Sequence, residues 1–146
     1  MAGICAGFWR GRRVLVTVHT GFKGSWLALW LQAMGANVCG LALPAAPGLS
    51  HHRLLQTPLD EALIDLRDAK AVNDAVQRFQ PELVFHLAAQ ALVRRGYREP
   101  VETFDTNVMG VVNTFSPFAA AMRRDGRGTL VGIASIAGFR GLPGAG

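Results

Sequence analysis

Apolar and polar positions along this chain switch repeatedly between a two-residue and a 3.6-residue period, with glycines and prolines at the switches. Residues 11–18 form a β-branched run and predict a first strand; 22–34 predict an apolar helix, with Gly35 placed as a left-handed stop. Residues 37–43 predict a second strand, and 44–58, with three prolines and a glycine, a surface connection. A short third strand is expected at 64–68. Asp68 then caps a helix over 69–79, whose apolar positions Ala71, Val72, Ala75, Val76 and Phe79 share one face. Residues 83–89 are continuously apolar and predict a central fourth strand. A long helix is expected over 100–122, bent near Gly110 and interrupted at Pro117; residues 126–128 make a turn, and 129–134 predict a fifth strand ending at Ser135. Residues 1–10 read as a loose lead-in and 138–146 as a glycine-rich tail.

Strands and helices alternating every 30–40 residues are the pattern of βαβ units. The fold class is therefore α/β: a doubly wound parallel sheet of about five strands in three α/β/α layers, as one domain over 1–146.

Composition narrows this picture little. Half of the 146 residues are hydrophobic and mean hydropathy is +0.23, which suits a buried parallel sheet. No apolar run approaches the ~18–20 residues of a membrane span, and residues 1–8 lack the basic start and long apolar core of a signal peptide. Cys5 and Cys39 form no CxxC, so neither a redox motif nor a zinc site is suggested, and a reducing cytoplasm is expected. Net charge is +5, and thirteen of the fifteen basic residues are arginines. They fall in scattered pairs without interleaved aromatics, so no nucleic-acid partner is expected.

In a doubly wound sheet, ligands bind beyond the C-terminal ends of the strands. That rule gathers four segments: the turn 18–24, Asp65-Leu66, Ala88-Ala89-Gln90, and Ser135. The turn Val18-His19-Thr20-Gly21-Phe22-Lys23-Gly24 follows a strand and opens a helix, the arrangement that binds pyrophosphate at a helix N-terminus. A dinucleotide fingerprint wants small residues at 18, 21 and 24; position 18 is valine, where a positive φ would cost about 1–3 kcal/mol. Position 43 is leucine instead of the acid that often holds the adenosine ribose, and His51, His52 and Arg53 either meet a 2′-phosphate or line a solvated loop. Asp65 is placed to bond an adenine amino group, with Leu66 against the ring; the alternative is an acid in a surface turn. His86, within an apolar strand, reads as a satisfied core histidine. Ser135 is a strand-end hydroxyl suited to polarising a carbonyl or alcohol, although no G-x-S-x-G surrounds it.

The run from Trp9 to Leu27, including His19-Thr20-Gly21-Phe22-Lys23-Gly24-Ser25-Trp26-Leu27, resembles the opening of CDP-glucose 4,6-dehydratases. These are extended short-chain dehydrogenase/reductase enzymes with tightly held NAD. The resemblance continues through Asp65-Leu66-Arg67-Asp68, Phe79-Gln80-Pro81-Glu82, Val84-Phe85-His86-Leu87-Ala88-Ala89-Gln90, Glu99-Pro100-Val101-Glu102-Thr103 and Thr106-Asn107-Val108-Met109-Gly110. It implies a Rossmann-like fold, NAD as cofactor (NADP not excluded) and a nucleotide-sugar substrate. Val18, Thr20, Gly21, Phe22, Lys23, Gly24, Asp65, Leu66, Ala88, Ala89, Gln90 and Asn107 are then the cofactor-binding residues. In that family a hydride leaves C4 of the hexose, water is lost across C5–C6, and the hydride returns at C6.

Departures are Val18 for glycine, Ala91 for proline and Gly96 for serine. Beyond about Asn113 the likeness shifts to the single-domain branch of the superfamily, with Ser135 as the catalytic hydroxyl, which suggests a chimera with a seam near 113–117. The Tyr-x-x-x-Lys pair common to both branches is absent: the one tyrosine, Tyr97, has Val101 four residues on. The sequence therefore reads as a C-terminally truncated cofactor half, inactive alone. The alternatives are a short-chain alcohol dehydrogenase fragment using Ser135, and a non-catalytic structural domain whose exposed sheet edge drives self-association, for example as a homodimer.

Overall fold

A computed structural model of the chain describes residues 6–45, 47–55 and 58–126. The first four elements are a single helical turn α1 (Ala6–Trp9), strand β1 (Arg13–Thr17), helix α2 (Phe22–Ala33) and strand β2 (Asn37–Ala42). A short helix α3 (His51–Leu55) leads into β3 (Asp60–Leu63), α4 (Ala69–Phe79) and β4 (Leu83–Phe85). Then come α5 (Val93–Arg98), α6 (Pro100–Phe104), a π-helical turn over Asp105–Met109, and α7 (Gly110–Asp125).

The four strands are all parallel, in the order β3-β2-β1-β4. Order reverses at β1: β2 and β3 are laid on one side of it and the chain then crosses to place β4 on the other, so the crevice beyond Thr17 is the topological switch point. Alternation along β1 divides the core between the sheet's two faces. Val14 and Val16 pack with Ala28 and Leu31 of α2, whereas Leu15 packs with Val72, Val76 and Phe79 of α4 and Phe118 of α7. This is the expected three-layer α/β/α arrangement.

Helix boundaries follow local chemistry. The Asp68 carboxylate accepts the Ala71 N–H at 3.0 Å, a cap worth about 1 kcal/mol. Gln80 ends α4 in the left-handed region (φ +48°), directly before Pro81. Gly35 (φ +86°) stops the α2 unit as its position predicts, and Gly126 (φ +64°) stops α7.

Several expectations are corrected. The third strand lies at Asp60–Leu63, earlier than 64–68, because the backbone of β2 pairs with Asp60, Glu61, Ala62 and Leu63; residues 64–68 form the loop beyond it. The connection 44–58 contains α3, and α5 had no counterpart in the expected elements. Within the lead-in, residues 6–9 form α1. Pro117 sits inside α7 without breaking it, while the irregularity near Gly110 takes the form of the π-helical turn just before it. β4 is only three residues long and lies at one edge of the described sheet. The fifth strand at 129–134, Ser135 and the tail fall outside the described residues.

Candidate functional site

The end of β1 is bent sharply. Val18 adopts φ +54°, its N–H donating to the Leu41 carbonyl at 2.7 Å and its carbonyl accepting the Gly21 N–H at 3.0 Å. A β-branched residue in the left-handed region is strained by about 1–3 kcal/mol. The turn is nevertheless held from both sides, by β2 and by the start of α2. Gly24 is why the helix can approach so closely: a Cβ there would lie 2.1 Å from the Val18 carbonyl oxygen. At Gly21 a Cβ would meet the Val18 side chain at 3.0 Å. Gly21 is also the N-cap of α2; it offers no side-chain acceptor, and no acid occupies the first turn. The helix therefore presents uncapped N–H groups and its positive dipole end toward the switch point.

A cavity of about 640 Å³ opens there, within the usual range for small-ligand sites. Of the residues expected to bind cofactor, Val18, Thr20, Gly21, Phe22, Asp65, Leu66, Ala88, Ala89 and Gln90 line it. Lys23, Gly24 and Asn107 do not. Gly24 acts through close packing, and Asn107 acts on Gln90: its Oδ1 accepts the Gln90 N–H at 2.7 Å and its Nδ2 donates to the Gln90 carbonyl at 3.1 Å. Asn107 lies in the π-helical turn, an irregularity that often marks functional segments.

Other supports escaped sequence reasoning because they are long-range. The buried Thr17 hydroxyl accepts the N–H groups of Leu87 (2.8 Å) and Ala88 (3.2 Å), fixing the segment beyond β4. Asn113 Nδ2 donates to the carbonyls of Leu66 (3.0 Å) and Arg67 (3.2 Å), fixing the loop beyond β3. The Thr20 hydroxyl donates to Leu43 O at 3.1 Å. Arg53 donates to the carbonyls of Gly48 and Ala45, so its guanidinium serves the loop's own backbone. His51 lines the cavity, its Nδ1 2.8 Å from Ser25 Oγ and its ring stacked on Trp26.

At the cavity's far side the Asp65 carboxylate accepts Arg67 Nε at 2.9 Å and Nη2 at 2.6 Å. These hydrogen bonds hold the Asp65 carboxyl below its ordinary range despite partial burial. Arg67 continues to Glu102, and Glu102 to Arg95, so the rim is charged while much of the lining is apolar. Asp65 Oδ1 also accepts the Arg67 backbone N–H at 2.9 Å and shares Nε at 3.1 Å, yet the carboxylate remains one-third exposed on the cavity side of this clamp.

Two histidines differ from expectation or went unread. His86 is half-buried; neither ring nitrogen meets full hydrogen-bond geometry with a described residue, although the Ala88 backbone lies close enough to interact, so the expected satisfied core histidine is formed only in part. His19 is fully buried, with Nε2 2.6 Å from Glu61 Oε2. Its ring fills the space above Gly40, where a Cβ would lie 2.3 Å from Nδ1; this close approach explains a glycine inside a strand. Burial lowers the proton affinity of both rings, for His19 against the opposing pull of Glu61. Their folded-state pKa values therefore lie below the ordinary 6.5 of the unfolded chain. Stability is fully present above about pH 6.5 and is lost as pH falls toward the folded values, where the unfolded chain binds more protons. Thermal melts between pH 7.5 and 5.5 are expected to show a falling Tm. A Tm that is flat or rises on acidification would contradict this.

The switch-point cavity, the glycine turn and the parallel sheet define the class: a dinucleotide-binding-type α/β domain. The family model for GDP-mannose 4,6-dehydratase matches residues 15–131, and the chain belongs to that family. CDP-glucose 4,6-dehydratase of Salmonella typhimurium is 51% identical over 108 residues, covering 73% of this chain and 30% of that protein. The solved structure of UDP-glucose 4-epimerase from Thermus thermophilus in complex with NAD is similar at a TM-score of 0.64 and 35% identity, covering 78% of this chain and 34% of that one. UDP-glucose 4-epimerase from Thermotoga maritima, solved with UDP-glucose, gives a TM-score of 0.64 at 28% identity over 72% of this chain and 33% of that one. The chain thus spans about a third of the length of these relatives. The range of the family match includes 113–117, where α7 is continuous, and lends no support to a chimeric seam.

Proposed function

We propose that this chain is the NAD-binding part of an enzyme that modifies the hexose of a nucleotide-sugar, with 4,6-dehydration of CDP-glucose as the reaction. The observation that carries this reading is the uncapped N-terminus of α2 opening onto the cavity, with Asp65 and Leu66 across it. The residues fit a dinucleotide. Gly21 keeps the start of α2 free of a side chain and Gly24 lets the helix seat close on the end of β1, so that its N–H groups meet a pyrophosphate; Asp65 accepts an adenine amino group, and Leu66 packs on the ring. Ala88, Ala89 and Gln90, set by Thr17 and Asn107, line the nicotinamide side. When bound there, NAD supplies reversible hydride acceptance at the sugar. The chain's own residues bind and orient it.

The match to the Salmonella typhimurium dehydratase favours dehydration over epimerisation. Val101, Phe104, Val108 and Val112 are all exposed, and this apolar helical stripe supports pairing with a second copy. A cytoplasmic location fits a domain using nucleotide cofactors with a free buried Cys39.

The 146-residue chain is expected to bind NAD but leave CDP-glucose unchanged, because Tyr97 has no lysine four residues on. Incubation with NAD and CDP-glucose, followed by chromatography, tests this. Appearance of a 4-keto-6-deoxy product would overturn the inactivity, and absence of NAD binding would overturn the assignment.

A further inference from the structure

A second cluster of side chains lies away from the lining of that cavity. His19 in the β1–α2 turn, His52 in α3 and Glu61 in β3 each offer one ligand atom, and these atoms all lie within 4.8 Å of one another. His19 Nε2 and Glu61 Oε2 are in contact at 2.6 Å, and the rings of His19 and His52 meet edge-on with centroids 5.4 Å apart. We propose that His19, His52 and Glu61 bind a divalent transition-metal ion of the zinc type, joining three elements that are far apart in sequence.

The chemistry of the donor set supports zinc. Two imidazoles and one carboxylate are a common three-residue zinc combination, with bonds of roughly 2.0–2.2 Å and a fourth position for water. Such bonds put tetrahedral ligand atoms about 3.3 Å from one another. The His19–Glu61 pair must therefore open by less than an ångström and the remaining pairs close modestly. His19 is fully buried and wedged over Gly40, so its Nε2 is pre-aimed and little side-chain entropy is lost on binding.

A separate observation points to a ligand here. Gln32 Oε1 is buried without a hydrogen-bond partner among the described residues, and it lines a small cavity with His19 and His52. Gln32 Nε2 is already committed to the Pro58 carbonyl at 2.9 Å, so the amide orientation is set and Oε1 is the atom left without a partner among the described residues. A metal-bound water supplies the donor that this oxygen lacks. The ion's role is structural: it clips α3 and β3 to the turn that cradles the proposed pyrophosphate. The proposal does not depend on the cofactor reading, since its test needs no nucleotide.

The test is a zinc titration of chelator-treated chain, followed by thermal melts and by cobalt substitution read in visible absorption. Zinc is expected to bind at micromolar Kd or tighter and raise Tm. Cobalt is expected to give tetrahedral d–d bands without the charge-transfer band of thiolate ligation. His52→Ala and Glu61→Gln, checked for folding by circular dichroism, should each weaken zinc binding at least tenfold. No zinc-dependent rise in Tm, a thiolate band implicating Cys39, or unchanged affinity in folded His52→Ala would overturn the assignment.

Discussion

Gly24→Ala is expected to cost about 3 kcal/mol of stability and to abolish NAD binding. The added methyl would sit 2.1 Å from the Val18 carbonyl oxygen and 2.8 Å from the His19 Cα. Both are backbone atoms, so no side-chain rotation relieves the clash. Either α2 slides away from β1 or the turn unfolds locally. The turn cannot yield freely, because the Val18 N–H is tied to Leu41 and the Gly21 N–H to Val18. Displacing α2 pulls Ala28 and Leu31 out of their packing with Val14 and Val16, which accounts for a cost beyond that of one methyl group. Urea denaturation with parallel NAD titration measures both losses. A variant as stable as the parent would mean that the helix does not approach β1 this closely.

Thr17→Val should cost about 2 kcal/mol while conserving shape. The hydroxyl accepts two backbone N–H groups, from Leu87 and Ala88, at a fully buried position. Valine removes both acceptors, and an orphaned buried N–H costs about 1–3 kcal/mol. Ala88 is buried and bears most of the cost, while Leu87 is partly exposed and regains water. Since Ala88 and Ala89 line the cavity, NAD affinity should fall about tenfold as the segment loosens. Chemical denaturation and calorimetry distinguish the two effects. Parent-like stability and affinity together would remove Thr17 from the account.

Local chemistry made part of this architecture readable from the chain. The strand–turn–helix at residues 13–33 announces itself through β-branched residues followed by two glycines. Helix α4 declares both ends, through the Asp68 cap and Pro81, and its apolar stripe faces the core. The third strand was misplaced because Ile64-Asp65-Leu66 looks more strand-like than Asp60-Glu61-Ala62-Leu63. The true β3 is a largely exposed edge strand, made extended by pairing with β2 and not by its own side chains. Helix α3 is only five residues long and hidden in a proline-rich stretch, and α5 carries a glycine at 96. The supporting bonds from Thr17, Asn107 and Asn113 span 17 to 71 residues, so no local pattern could announce them. Gly40 reads as an odd strand glycine until the His19 ring is placed over it.

Val18 is where sequence and geometry converge most sharply. The fingerprint wants glycine, and the backbone there has the left-handed φ of +54° that glycine adopts without strain. Valine tolerates it because the turn is held by β2 and because its side chain packs against the core on the α4 face. Substitution by glycine exchanges that packing for relief of strain, so little change in stability is expected. The larger effect is expected on the ligand, since Val18 also lines the cavity and its Cγ1 lies beside Gly21 at the start of α2, where glycine would remove bulk.

Calorimetric titration of NAD into the chain and its Val18→Gly variant therefore tests the central claim most directly. Micromolar binding by the parent, tightened about tenfold or more in the variant, is the predicted result. No heat of binding from either protein would contradict the assignment of this cavity to a dinucleotide.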